Sequence, residues 1–324
     1  MLGKKILVTG GAGYVGSHTC NLLSQNGFEV TVYDNLSTGH KEFVKWGPLE
    51  IGDLLDTNKL SDVIRKYDID AVFHFAAKAY VGESVQDPFK YYKNNIVGTT
   101  SLLEAMQINK VKDIIFSSTC ATYGSPPKNK LITEEMPQEP INPYGFTKLI
   151  IERMLHDLSM IGKIRYIALR YFNASGASIQ ANIGEKHNPE THLIPLAIQS
   201  HYDEKYTLQV YGNDYDTSDG SAVRDYIHVD DLAEAHLKAY QYLESSNQSD
   251  QFNLGTGQGI SVLEILKALI ELGLSPKFKI SSRRKGDPDF LVADNGKAQR
   301  ILGWNAKKSI NEILLSANEW YKKL

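Results

Sequence analysis

The stretch that most restricts the fold is a glycine-rich turn near the start of the chain. Lys5-Ile-Leu-Val-Thr9 has the composition of a buried strand. It runs into Gly10-Gly11-Ala12-Gly13-Tyr14-Val15-Gly16, and a helical run, Ser17 to Gln25, follows. Glycines at these spacings allow a tight turn, close approach of backbone to a pyrophosphate, and close packing of helix on strand. A glycine triplet alone is a weak signal, because plain turns also use glycine. Here it leaves a strand and opens a helix, and a second strand, Phe28 to Tyr33, ends at Asp34, eighteen residues after Gly16. A carboxylate at that point accepts from a ribose 2′-hydroxyl and repels a 2′-phosphate. The expected cofactor is therefore NAD rather than NADP.

Strands and helices alternate from residue 5 to 170. The further strands are expected at Glu50–Asp53, Ala71–Phe75, Asp113–Ser118 and Ile164–Arg170. Helices are expected at Lys59–Lys66, from Pro88 through Gln107, and from Tyr144 to Met160. This alternation predicts an α/β fold, a doubly wound parallel sheet (Rossmann) with right-handed crossovers. Residues 174–192 are polar, with scattered Gly and Pro, and read as a long irregular loop. The second half, with fewer alternations, is expected to form a smaller α/β substrate lobe. The expected division is 1–173 and 174–324, with segments near 224–255 crossing back. Within it, Arg224–Val229 reads as one strand, and Asp230-Asp231 as the cap of the next helix.

Several residues invite chemistry. Tyr144 and Lys148 are four apart on a helix and so share a face. An ammonium beside the phenol is expected to pull its pKa down from about 10 and make it a base for a hydroxyl proton. A solvated helix face is the common alternative. Thr119, at the end of its strand, reads as a substrate-binding hydroxyl or as a cap. Asp53 reads as an adenine contact or as a turn residue. His74, inside a strand, reads as a structural histidine. One of Asn94 and Asn95 is expected to face the cofactor.

Bulk properties remove other classes. The 324 residues carry a net charge of −3 with no basic block, so nucleic acid is not an expected partner. Hydrophobic content of 42% and no long apolar run fit a globular chain away from membranes. Cys20 and Cys120 form neither a disulfide framework nor a metal spacing, and no metal is expected. Lys4 to Val8 follows the N-terminus too closely for a signal peptide, so a cytoplasmic setting is expected.

These stretches resemble the extended short-chain dehydrogenase/reductase superfamily, and within it the UDP-glucose 4-epimerase family. The resemblance rests on Val8–His18, Tyr33–Gly39, Gly52-Asp53, His74–Ala77, Val81–Ser84, Tyr91–Asn95 and Phe116–Thr119. It continues through Tyr144 with Lys148, Arg170–Asn173, Val223–Val229, Phe252–Gly255 and Arg283–Asp287. It covers nearly the whole chain. It implies Tyr144 as base, Lys148 as its electrostatic partner and Thr119 as the third catalytic residue. It implies Gly10, Gly13, Tyr14 and Val15 at the NAD pyrophosphate, Asp34 and Asn35 at the adenosine ribose, and Asp53 and Leu54 at the adenine. Phe75, Ala76 and Asn94 would hold the rest, with Gly16, Leu36, Tyr171 and Phe172 completing the cofactor set. Asn173, Leu193, Tyr211, Arg224, Arg284 and Asp287 would bind the UDP part, and Leu291 would border the sugar.

The implied reaction interconverts UDP-glucose and UDP-galactose. C4 is oxidised, the 4-keto sugar turns over, and hydride returns to its other face. The chain departs from the family at Ala79, where a Lys is usual (Lys78 is one position off), at His192-Leu193 in place of Asn-Leu, and at Leu291. Related dehydratases and decarboxylases carry acids directly after the Thr119 position, where this chain has Cys120-Ala121-Thr122. A binding-only relative usually lacks the Tyr or the Lys. Epimerisation of another UDP-sugar, N-acetylated or pentose, is the nearer alternative. The family implies a homodimer, for which the apolar faces of helices 89–107 and 144–160 are available, although core burial explains them equally well.

Overall fold

The computed structural model describes residues 3–284 and 287–324, so Lys285 and Gly286, within the Arg283–Asp287 stretch, lie outside the described residues. In the first half β1 (Lys5–Thr9), α1 (Tyr14–Gln25), β2 (Glu29–Asp34), β3 (Leu49–Ile51), α2 (Thr57–Lys66) and β4 (Ala71–His74) follow in order. Then come α3 (Val81–Gln86), α4 (Pro88–Tyr91), a π-helical segment (Tyr92–Val97), α5 (Gly98–Ile108), β5 (Asp113–Thr119), α6 (Pro143–Met160) and β6 (Arg165–Tyr171). The central strands β1, β4 and β5 are short and almost wholly buried, as expected of a sheet covered on both faces, while the edge strand β3 is partly exposed.

In the second half short strands β7 (Asn173–Ser175), β8 (Ala177–Ser178) and β9 (Ile183–Gly184) precede α7 (Leu193–Tyr202) and β10 (Leu208–Tyr211). After β11 (Val223–Arg224) and β12 (Tyr226–His228) come α8 (Val229–Ser246) and β13 (Asp250–Leu254). The chain closes with β14 (Ile260–Ser261), α9 (Val262–Glu271), β15 (Phe278–Ser281), β16 (Phe290–Leu291), α10 (Gly296–Leu302) and α11 (Ile310–Tyr321).

One parallel sheet of seven strands, in the order β13-β6-β5-β4-β1-β2-β3, organises the fold. The chain reverses direction across the sheet between β1 and β4, the switch point at which open parallel sheets bind ligands. Thr9 pairs with Tyr33 on one side and His74 on the other, so three strand ends finish level beside the glycine turn. On one face Cys20 and Leu23 of α1 pack with Leu232, Leu237 and Tyr240 of α8. On the other, Leu60 and Ile64 of α2, Leu102 and Met106 of α5, and Ile151 and Leu155 of α6 pack together. A separate core, with Ile198, Leu208, Ile265, Leu269 and Leu314, holds α7, α9 and α11. Among the described residues no helix is long and apolar enough to cross a membrane.

Two local expectations are corrected. Residues 224–229 are not one strand. The chain breaks at Asp225, whose buried carboxylate accepts from the amides of Thr256 (2.8 Å), Gly257 (3.1 Å) and Ala293 (3.2 Å). Nor does Asp230-Asp231 cap α8. His228 does so, Nδ1 accepting from the Asp230 amide at 3.1 Å. Asp231 instead takes the amides of Lys307 and Lys308, at 3.0 and 2.9 Å.

Candidate active site

The ends of β1, β4 and β5 open on a cleft of about 510 Å³. Gly10 begins the turn at φ +74°, a conformation suited to glycine, and a Cβ there would lie 2.5 Å from the Ala76 amide nitrogen. A Cβ on Gly16 would collide with the carbonyl oxygen of Gly10. Helix α1 starts after Gly13 with no side-chain cap, so its opening amides are not taken by a side chain. Asp34 is buried at the end of β2, where it accepts from the amides of Ala12 (3.1 Å) and Leu36 (2.8 Å). Burial raises its pKa, and those two amides pull the other way.

Gly10, Gly13, Tyr14, Val15, Gly16, Asp34, Asn35, Leu54, Phe75 and Ala76 all line the cleft. Leu36 and Asp53 do not. Asp53 organises the adjoining turn, accepting from the Leu55 amide and from Asn35 Nδ2, each at 2.9 Å. Lys78 and Ala79 both border the cleft, and Lys78 Nζ donates to Ser37 Oγ at 2.9 Å.

The π-helical segment separates the two asparagines. Asn95 is buried, accepting from the Lys78 amide (2.8 Å) and donating to the Lys78 carbonyl (3.0 Å) and to Thr147 Oγ1 (3.1 Å). Asn94 lines the cleft. The wider turn thus lets one residue pin the Lys78 loop while its neighbour faces the opening. His74 is structural, held between Thr9 Oγ1 (2.7 Å) and Thr99 Oγ1 (2.9 Å), and burial lowers its pKa to about 3.

Helix α6 opens at the cleft. Asn142 caps it by accepting from the Gly145 amide at 2.8 Å, and Pro143 fixes its first turn. Tyr144 is therefore displayed at the helix start. Lys148, one turn deeper, is 2% exposed and does not itself line the cavity. Its Nζ donates to the Ser117 carbonyl at 2.6 Å and lies 6.0 Å from the Tyr144 ring centroid. The expected lowering of the Tyr144 pKa is not what this arrangement gives. Burial, then the nearby Tyr171, raise it, and a hydrogen bond with the Thr119 hydroxyl opposes them. Burial also lowers Lys148 to about 7, against the pull of Glu152. Thr119 lines the cleft and also caps the turn after β5, accepting from the Ala121 amide at 3.2 Å.

Beneath the helix, Arg170 grips Glu152 with Nη2 at 2.6 Å and Nε at 3.0 Å, and Ser118 also donates to Glu152. Arg170 Nη1 donates to the Tyr123 hydroxyl at 2.8 Å, which donates to Asn253 Oδ1 at 2.7 Å. This buried network ties α6 to β5, β6 and β13.

The far end of the cleft is lined by Tyr171, Phe172, Asn173, Arg224, Asp287 and Leu291. Arg224 Nη2 lies 2.5 Å from Asp287 Oδ1, and Arg224 is paired in register with Leu291. Leu193, Tyr211 and Arg284 do not line it. Leu193 packs against the α7–α9–α11 core, and the Arg284 guanidinium stacks 4.0 Å from the Tyr211 ring centre. Tyr80, Glu185, His187 and His192 also border the cleft. Of these the sequence reading noted only His192, as a departure. The signal available for Glu185 and His187 was the alternation of acid and imidazole in Glu185-Lys-His-Asn-Pro-Glu-Thr-His192, and Tyr80 had none.

Residues 6–255 match the family described as the NAD dependent epimerase/dehydratase family. The UDP-glucose 4-epimerase of Rhizobium leguminosarum bv. trifolii is 49% identical over 100% of this chain and 99% of its own length. A solved UDP-glucose 4-epimerase from Brucella ovis, in complex with NAD, superposes with a TM-score of 0.95 at 49% identity, covering 98% of each chain. That from Bifidobacterium longum, in complex with NAD+ and UDP, gives 0.92 at 38% identity over 99% of this chain and 98% of the other.

Proposed function

Because the chain belongs to the NAD-dependent epimerase/dehydratase family, we propose that its cleft takes NAD and a UDP-sugar and interconverts UDP-glucose and UDP-galactose. The observation that carries this reading is that the glycine turn, Asp34, Thr119 and Tyr144 all open on one cavity. The residues fit NAD. The crowding at Gly10 and Gly16 leaves backbone where a pyrophosphate needs it, and the fixed Asp34 carboxylate is an acceptor for a ribose hydroxyl. When bound, NAD supplies the acceptor and later the donor of the hydride at C4.

The chain's own residues handle the proton and the orientation. With NAD bound, Tyr144 is favoured as the phenolate by the positive nicotinamide and the Lys148 ammonium, against the pull of burial, and its Oη takes the proton of the sugar 4-hydroxyl and later returns it. Thr119 Oγ1 steadies that oxygen. Lys148 sets the local charge from the layer below, and its pKa near 7 lets a modest change in surroundings alter that charge. The Arg224–Asp287 pair supports diphosphate binding at the far end, where Arg224 can exchange a carboxylate for phosphate oxygens. Asn173 and Leu291 border the rest of the nucleotide-sugar. Leu193, Tyr211 and Arg284 lie off the lining, and they stay candidates for the UDP part only on the family resemblance.

We place the cofactor unit in residues 1–173, with about 224–255 returning to it, and the substrate lobe in the remainder of 174–324. Pairing of β13 with β6 supports that division. A homodimer is proposed through the α4–α6 face, where Phe89 is 82% exposed and Val97 and Phe146 are also exposed. Light scattering should give twice the chain mass, and Phe89→Glu should return it to one. The activity is tested by offering UDP-galactose to purified protein without added reductant. UDP-glucose should form, and NAD should be released on denaturation. Absence of conversion with NAD bound would overturn the substrate assignment.

A further inference from the structure

Glu185, His187, Glu190 and His192 lie beside the cleft, outside the groups the reaction uses. Each presents one ligand atom, and the four atoms all lie within 4.8 Å of one another. His187 Nδ1 is 3.3 Å from Glu185 Oε1 and 3.4 Å from Glu190 Oε2. His192 Nδ1 is 2.8 Å from Glu185 Oε1 and from Glu190 Oε1. A tetrahedral ion with bonds of about 2.0–2.1 Å has ligand atoms about 3.3 Å apart, and the His187 spacings match that edge.

A second observation concerns His187 itself. Its Nδ1 is shut off from solvent and has no hydrogen-bond partner, despite two carboxylate oxygens nearby. Those oxygens, at 3.3 and 3.4 Å, are within reach but not aligned for a hydrogen bond, yet suitably placed to share a centre with the nitrogen. Supporting contacts are also in place. Glu190 Oε1 accepts from the amides of Thr191 (2.7 Å) and His192 (2.9 Å), which orient the carboxylate. Glu185 and His187 border both the main cleft and a smaller cavity of about 230 Å³, which gives an ion a way in.

We propose that Glu185, His187, Glu190 and His192 form a binding site for a divalent transition cation of the zinc type. Two imidazole nitrogens and two carboxylate oxygens suit that class better than calcium or magnesium, which favour all-oxygen shells. Four protein ligands leave no open position, so the ion is structural rather than catalytic. Its effect is to lock residues 185–192 into one arrangement. The His187 ring lies edge-on to Tyr14 of the glycine turn (6.3 Å between centres) and to Tyr80 (5.9 Å), so the lock borders the cofactor end of the cleft. The site does not depend on which sugar the cleft accepts.

The test uses the full chain with its NAD. Protein is loaded with Zn²⁺, desalted and analysed for metal, and in parallel titrated with Co²⁺ in the visible range. About one zinc per chain is expected to remain, with Co²⁺ giving the intense d–d bands of a tetrahedral site. Glu190→Gln and His192→Asn should each weaken Co²⁺ binding about a hundredfold or more, since loss of even supporting contacts costs 10–100-fold. NAD content and far-UV circular dichroism of the variants report that they are folded. No retained zinc and no Co²⁺ spectrum in the wild-type protein would overturn the proposal, whatever the variants do. Unchanged Co²⁺ affinity in both folded variants would overturn it too, because the metal would then be bound elsewhere.

Discussion

The two ends of the cleft are built by different means. At the cofactor end, backbone does most of the positioning. Gly10 donates to the Tyr33 carbonyl at 2.9 Å, Gly13 to the Gly10 carbonyl at 3.0 Å, and Asp34 is fixed by two amides. At the substrate end, side chains from distant parts of the sequence meet. Arg224 pairs with Asp287, 63 residues away. The Tyr215 hydroxyl donates to Asp287 Oδ2, 72 residues away, at 3.4 Å. A site set by backbone sterics tolerates little change, whereas one set by side-chain pairs can be retuned residue by residue.

Between the ends lies the Tyr144 helix, and the largest effects are expected there. Tyr144→Phe removes the proton carrier and leaves both ends intact. Turnover should fall by about 10²–10⁴ while NAD stays bound, as measured by the UDP-galactose assay and by cofactor release. Near-normal turnover would remove Tyr144 from the chemistry. Glu152→Ala strips the Arg170 charge of its buried partner. A loss of about 3–5 kcal/mol in urea unfolding is expected. A loss under 1 kcal/mol would mean that the joint beneath the helix is held by packing rather than by this pair.

Lys148 supplies a pH test of the same joint. Its folded pKa is depressed by burial to about 7, below the ordinary 10.5. Between those values the unfolded chain holds the extra proton, so this group's contribution to stability rises with pH from about 7 to 10.5. Below about pH 7 the cost of burying the charge is fully present. Comparing wild type with Lys148→Met isolates the effect from other titrating groups. The wild type should gain roughly 2–4 kcal/mol on the variant between pH 7 and 10. Parallel stability curves would show that Lys148 is not desolvated.

This difference between the ends also decides what the sequence discloses. The glycine turn, Asp34 and the parallel sheet are legible because each follows from neighbouring residues or from strand–helix alternation. The Tyr144–Lys148 pair is legible as spacing, but the balance of their charges is not. Spacing says nothing of Ser117, whose carbonyl takes the ammonium, nor of the burial that raises the phenol. Residues 224–229 look like one strand because their composition does. The break at Asp225 is set by amides of residues 256, 257 and 293, which no local pattern reveals. Tyr211 and Arg284 enter only through the family resemblance, and their stacking on each other, away from the cleft lining, needs the fold. Glu185 to His192 looks like a polar loop until its four side chains are seen to converge.

Two smaller effects separate the ends more finely. Asp34→Ala should narrow the preference for NAD over NADP by about tenfold, the scale of one charge-assisted hydrogen bond. An unchanged ratio of dissociation constants would refute the ribose assignment. Leu291 gives the smallest effect. It is partly exposed at the rim and paired in register with Arg224, so its side chain limits bulk without closing the opening. It is neither small enough to welcome a 2-N-acetyl group nor large enough to reject one. Leu291→Tyr should therefore cut the kcat/KM for UDP-N-acetylgalactosamine relative to UDP-galactose by about fivefold. That is less than the 10–200-fold that one methylene controls in an enclosed pocket, because a sugar at a rim can shift toward solvent. Identical ratios in the two proteins would move the control of sugar size to another lining residue. A fall of a hundredfold would show that the rim closes over the sugar, and that this end is as rigid as the other.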